Sequence, residues 1–435
     1  MEKYTTNILQ HQYFVKENLS SEKIEPRWEW NVVKIYDKEK IRTWCGLGGS
    51  ITGASAYNFK KLSKDNQKKF IEYYYGESGL NYNLARLSIG SNDFCPYSYE
   101  YCADGNLRHF QIKEDKKLLF PLLKKINRKA NITYLASPWS PPSWMKDNNS
   151  LIGGKLKKEC YDSYAEYLIK FLENYKKENI SISYLTIQNE PYAWQKWESC
   201  VYSLKEQKDL IKNYLLAKLN KSKLDTKILL WDHNKDNIYD NTKYLRIKDD
   251  RIAGVAFHSY AGSHFQNLAL ISQKYPNDLL WHTEGCRGFE PYNEEKWLLD
   301  AEFYMLDLIG DINHGMNGYI DWNILLDDKG GPNHAENYCK SPIMLDENNN
   351  LILTPIYYYL KHLGFFVKKG YQSLIVDTYR PDLFCCAFKN QNEYVIICLN
   401  MNAYDMEVNL ILKGKRTHDV LSSHSIVTYV ETIEE

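Results

Sequence analysis

The segment "YLTIQNEPYAW", residues 184–194, runs apolar through Tyr184, Leu185 and Ile187 and then presents Asn189, Glu190 and Pro191. Such a run reads as a strand entering a core, where a carboxylate is costly unless its charge is paired or used. A second glutamate, Glu284, closes the similar run "LLWHTEG" (279–285). Two carboxylates facing each other across a pocket are what cleavage of a glycosidic bond requires. One protonates the leaving oxygen, and the other attacks the anomeric carbon or activates water. A single glutamate at a strand end is more often a solvated loop residue, so the pair counts only if the fold brings both to one place.

From about residue 43 to residue 364, eight β-rich runs could position them: "WCGLGGSIT", "YNLARLSIG", "NITYLAS", "SYLTIQNE", "KILLWDH", "IAGVAFHS", "LLWHTEG" and "GYIDWNI". Segments of helical period, such as 59–76, 162–175, 204–219 and 294–308, separate them. Eight alternations predict an α/β fold, a (β/α)8 TIM barrel, with a doubly wound open sheet as the alternative. In such a barrel the site is built at the strand exits. These carry Asn92 and Asp93, then "SPWSPPSW" (137–144) with Trp139, then Asn189 and Glu190, then His258 and Tyr260, then Glu284, and finally Asp321, Trp322 and Asn323.

After residue 365 the helical period gives way to "SLIVDTYR", "LFCCAFKN", "EYVIICLN", "MEVNLILKG" and "HSIVTYVE", separated by turn signals at Asn390, Gly414 and Asp419. The N-terminal "RWEWNVVKIYD" (27–37) also alternates. Together they predict a β-sandwich side domain built from both chain ends, with 1–42 and 365–435 flanking a catalytic barrel at 43–364.

A chain of 435 residues accommodates that architecture. Lysine and arginine number 55, as do aspartate and glutamate, so no charge excess points to a nucleic-acid partner. No apolar run approaches the roughly 20 residues of a membrane span, which predicts no stable membrane insertion. The N-terminus shows charges of both signs and no apolar h-region, and a cytoplasmic location is the expectation. Ten scattered cysteines read as buried free thiols. The 36 tyrosines and 11 tryptophans supply rings able to stack on sugars. The histidines show no metal-ligand spacing beside an acidic partner, so no metal or other cofactor is expected.

The segments "GLGGSITGASAYNF", "YNLARLSIGSNDF", "ASPWSPPSWMK", "TIQNEP", "VAFHSY", "HTEGC" and "YIDWNILLDDKGGPNH" resemble, in order and spacing, the motifs of glycoside hydrolase family 30, the family of acid β-glucosidase (glucosylceramidase). The resemblance covers about residues 44–364. It implies that Glu190 is the general acid/base and Glu284 the nucleophile of a retaining enzyme. It further implies that Asn189 binds the sugar 2-hydroxyl and that Arg86 lies beneath Glu284 and keeps it ionised, a role compatible with a structural ion pair. Asp93, Trp139 and Asn333 match positions that bind sugar hydroxyls, Trp322 matches the floor of that subsite, and His258 and Tyr260 match positions that orient the nucleophile. Residue by residue, Asp93 could equally cap a turn, the two tryptophans could pack a core, and His258 could be a packing residue. Gly53 and Gln188 depart from better-known members and bear on the aglycone rather than on the chemistry. Glu190 is expected to have a raised pKa, as an acid must, and Glu284 to stay charged.

The reading is therefore a retaining β-glycosidase acting on a small-molecule or oligosaccharide β-glycoside. The sugar is a β-glucoside first, with β-xyloside, β-fucoside and β-1,6-glucan as alternatives. A catalytically silent carbohydrate-binding barrel would not need both glutamates, a metal-dependent barrel enzyme would cluster His and Asp, and inversion would need a wider carboxyl separation.

Overall fold

The computed structural model describes residues 1–23 and 31–433. At its centre eight parallel strands close into a barrel. In chain order, strands one to eight are Gly46–Ser50, Leu84–Ile89, Thr133–Pro138, Ile182–Leu185, Lys227–Asn234, Ile252–His258, Leu279–Glu284 and Gly318–Asp321. Each of the eight predicted runs supplies one of them. Strand four is shorter than the apolar pattern suggests: it leaves the ladder after Leu185, and 186–190 form an irregular exit.

Helices 162–175 and 294–308 lie within Tyr161–Lys177 and Glu294–Asn313. The predicted 59–76 helix is instead two, Gly53–Lys61 and Lys64–Tyr75. The Ser63 hydroxyl accepts from the Asn66 N–H at 3.2 Å and starts a second helix where the period alone reads one. The 204–219 segment passes through a π-helical turn at Leu210–Leu215.

The strand period explains the barrel interior. Leu84, Leu135, Leu229, Ala256, Trp281 and Ile320 pack together as an apolar layer. Two residues onward, on the same face, come Arg86, Ser137, His258, Thr283 and Trp322, all buried. An apolar plug thus supports a polar layer at the C-terminal face. On strand five the two-residue step leads from Leu229 to Trp231. There the chain slips: Trp231 and Asp232 both take left-handed backbone angles, φ 80° and 59°. The pairing with strand six jumps from Trp231 to His233, so Asp232 takes the inward place.

The chain ends form one ten-stranded sheet, including Glu2–Asn7, Gln12–Asn18 and Val32–Thr43 from the N-terminal side. Within the predicted "RWEWNVVKIYD", Arg27 to Trp30 lie outside the described residues. The sheet curls until its halves face each other, sandwich fashion. Tyr429 on Ser425–Thr432 donates to Asp419 at 2.8 Å, although six places in the strand order separate their strands. Val32–Thr43 pairs parallel with Met406–Leu412, which makes the sheet mixed. Asp419 lies inside a strand, Lys415–Leu421, rather than at a turn, because that strand is mostly polar and its period is hidden. Among the described residues no helix is long and apolar enough to cross a membrane, and all ten cysteines are free thiols.

Candidate active site

The polar layer converges on two charged groups. Arg86, from strand two, donates through Nε to Ser137 at 3.1 Å, through one terminal nitrogen to Glu284 at 2.5 Å, and through the other to Asn189 and Asp232 at 2.8 Å each. Asp232 also accepts from Ser137, Thr186, Thr283 and the Nε2 of His258. Arginine and aspartate therefore bury each other in full, the condition under which charges survive in a core.

Glu190 and Glu284 stand above this hub. Glu190 adopts φ 48°, uncommon for a residue with a side chain, and its N–H donates to the Asp232 carbonyl at 3.0 Å. The Asn189 N–H is held by the Pro138 carbonyl at 2.8 Å. Glu190 Oε1 lies 3.1 Å from His258 Nδ1, and Glu284 Oε1 accepts from the Tyr260 hydroxyl at 3.1 Å. An oxygen of each glutamate and a nitrogen of His258 lie within 4.8 Å of one another. These three residues could offer ligands to a metal, a cluster that sequence spacing does not reveal. A cation there would sit against Arg86 and His258, which already bring positive charge.

The electrostatics depart from the expectation for the pair. Burial pushes Glu190 up, but the hydrogen bond and charge of His258, with His233 and Arg86, outweigh it and hold the carboxyl below its ordinary value. Burial raises Glu284, which His258 and Arg86 oppose and the Glu190 charge reinforces. Against its own burial, the Glu284 charge and the hydrogen bonds to Asp232 and Glu190 lift His258 to about 9. These opposed shifts favour the proton between Glu190 and His258 on the imidazole.

The other expected residues form a second wall. Trp139 and Trp322 stack on each other with centroids 5.3 Å apart, and the Arg86 guanidinium lies 4.8 Å from the Trp139 ring centre. Asp93 is buried, which pushes its carboxyl up to about 7 against the hydrogen bond from Asn337. Asn337 donates to Asp93 at 3.1 Å and Asn333 at 3.4 Å. Asn333, however, spends its amide on its own turn, donating to the Asn337 carbonyl and accepting from the N–H groups of Ala335 and Asn337. The half-buried Asn337 is the amide turned toward Asp93. Behind this wall Glu198 accepts from Ser91, Ser98 and His334, tying the exits of strands two, four and eight together.

Folding thus brings Glu190, Glu284, Asn189, Arg86, His258 and Tyr260 into one contact network, with Asp93, Trp139, Trp322 and Asn333 beside it. Sequence reasoning missed Asp232, Asn337 and Glu198. An acidic residue at the end of the apolar "KILLWDH" is a signal for the first. A second asparagine four residues after Asn333 is a signal for the next.

The family model for the glycosyl hydrolase family 30 TIM-barrel domain matches residues 44–367. The lysosomal acid glucosylceramidase of Mus musculus is 27% identical over 408 residues, covering 87% of this chain and 79% of its own. The solved structure of SrfJ from Salmonella typhimurium superposes with a TM-score of 0.94 at 29% identity, covering 100% of this chain and 99% of that one. The endo-β1,6-glucanase BT3312 superposes at 0.86 with 26% identity, again over 100% and 99%. With its barrel matched throughout and both ends of the chain included in the superpositions, the chain belongs to glycosyl hydrolase family 30.

Proposed function

We propose that the chain cleaves β-linked glucosides with retention of configuration, using Glu284 as nucleophile and Glu190 as acid/base. One observation carries the reading: an oxygen of each carboxylate falls within 4.8 Å of the other. Retaining enzymes hold their carboxyls about 5 to 5.5 Å apart, and inverting ones about 6.5 to 9.5 Å apart, to admit a water between them.

Glu284, held by Arg86 and Tyr260, attacks the anomeric carbon while Glu190 gives a proton to the leaving oxygen. The resulting glycosyl ester on Glu284 is then cut by water, whose proton returns to Glu190. His258, charged at neutral pH and 3.1 Å from Glu190, supplies the proton that this acid needs. Arg86 occupies the Asn189 oxygen, which leaves the amide nitrogen turned to the sugar 2-hydroxyl. We assign Asp93 and Asn337 to the distal hydroxyls, Asn333 to shaping the turn that carries Asn337, and the Trp322 ring to the floor beneath the sugar with Trp139 against it. The 26% identity with an endo-β1,6-glucanase over the whole chain supports a β-1,6-linked glucan as the second reading.

The test is turnover of aryl β-glucoside, xyloside, fucoside and galactoside by wild type, Glu284→Gln and Glu190→Ala. The expected result is preference for the glucoside, loss of roughly a thousandfold or more in Glu284→Gln, and azide rescue with good leaving groups in Glu190→Ala. A β-glycosyl azide product supports retention with Glu190 as acid/base. An unimpaired Glu284→Gln sinks the assignment.

A further inference from the structure

Three side chains beside Glu190 have no part in the steps above. His233 brings Nδ1 to 3.9 Å from Glu190 Oε1, beyond hydrogen-bond reach. That nitrogen is buried and has no hydrogen-bond partner among the described residues. Tyr192, 45% exposed, meets Trp231 edge-on at 5.1 Å and His233 at 6.0 Å, and Trp231 lies against His233 at 5.4 Å. His233 flanks the acid, with Trp231 and Tyr192 packed against its ring, whereas Arg86 and Tyr260 reach the nucleophile. Since the acid protonates the leaving oxygen, whatever stands on its far side meets the leaving group.

The backbone at this place takes an uncommon course. An unslipped strand five would carry Trp231 inward, like its neighbours in the layer. Instead two consecutive non-glycine residues sit in left-handed conformation, a feature concentrated at functional sites. The slip does two things together: it puts Asp232 into the hub, and it packs the buried Trp231 behind Tyr192 and His233 beside Glu190.

We propose that Tyr192 and His233, backed by the buried Trp231, form the leaving-group subsite and that this subsite takes a second sugar ring. The inference rests on the glycosidase reading and names the class of its aglycone. An open tyrosine ring offers an apolar face to a pyranose. A nitrogen 3.9 Å from the acid's oxygen is placed toward a hydroxyl of a sugar leaving group, the 4-hydroxyl where the linkage is 1,6. Burial lowers the His233 pKa, against the charge of Glu190, so the ring is neutral and keeps one donor and one acceptor for that hydroxyl. An alkyl chain would cover the same nitrogen without satisfying it.

The experiment compares β-glucosyl fluoride, whose leaving group needs no subsite, with a β-1,6-linked glucose disaccharide and octyl β-glucoside. Wild type is set against Tyr192→Ala, His233→Leu and the conservative pair Tyr192→Phe and His233→Asn. The expected result is a fall of about tenfold or more in the ratio of kcat/KM for disaccharide over fluoride in Tyr192→Ala and His233→Leu, with much of it restored in the conservative pair. Glucosyl transfer from the fluoride to added glucose should fall in parallel. An unchanged ratio overturns the subsite while leaving the glycosidase intact. A loss confined to octyl glucoside replaces the sugar by a lipid. Failure of folded wild type to cleave the fluoride removes the glycosidase reading, and this one with it.

Discussion

Five side chains, Arg86, Ser137, Thr186, His258 and Thr283, donate to the Asp232 carboxylate, yet the strand period hides this residue. Alternation from Leu229 points Trp231 inward, and only the slipped backbone exchanges the two. Glu190 and Glu284 are legible because each is the carboxylate that ends an apolar run, although Glu190 has left the ladder and the pairing of strand seven with strand six also slips just before Glu284. Their relative acidities are not, because His258 reaches Glu190 only through the fold. Asn333 and Asn337 divide similarly: the motif names an asparagine, and the closed turn decides which one faces the pocket. His258 also yields a prediction. Its pKa rises from an ordinary 6.5 to about 9 on folding, so the stability it contributes is whole below pH 6.5 and lost as pH rises through 9. Urea titrations should show about 3 kcal/mol of unfolding free energy lost over that window. Most of that slope should be absent in His258→Gln, and an equal slope in the variant would refute the assignment.

At the scale of elements, period 2 reveals every barrel strand, and period 3.6 reveals the helices at 162–175 and 294–308. What they miss is set by single side chains, such as Ser63 capping a second helix, or by polarity, as in Lys415–Leu421. Strand one is the least ordinary element, being largely glycine. A β-carbon on Gly48 would stand 2.1 Å from the Leu84 carbonyl oxygen of strand two, an approach backbone cannot yield to. Gly48→Ala should therefore cost roughly 3 kcal/mol or more. Gly288→Ala, in the exit of strand seven with nothing within 4 Å of the added carbon, should stay within about 0.5 kcal/mol of wild type. Chemical denaturation of the two variants checks this, and equal effects would mean that strand one relaxes more readily than its pairing implies.

For the whole molecule, one apolar core joins barrel helices to sheet: Leu308, Tyr359, Phe388, Ile397 and Ile426 belong to a single buried cluster. His362, on the helix Pro355–Gly364, reaches Thr6 at 2.8 Å and Thr428 at 2.9 Å, one from each end of the chain. Calorimetry should accordingly record one cooperative transition whose calorimetric and van't Hoff enthalpies agree, and two resolved transitions would show that sheet and barrel melt apart. The sheet's arrangement also governs the order of assembly. Ser425–Thr432 lies between Glu2–Asn7 and Glu393–Asn400, so Glu2–Asn7, once made, waits for a neighbour that lies far later in the chain. At about 5 to 20 residues per second, that wait lasts on the order of tens of seconds. Meanwhile Val32–Thr43, which leads directly into the first barrel strand, lacks its partners from the far end of the chain. The emerging chain thus carries open strand edges until those later strands arrive, and for that interval the edges are exposed to pairing with other chains.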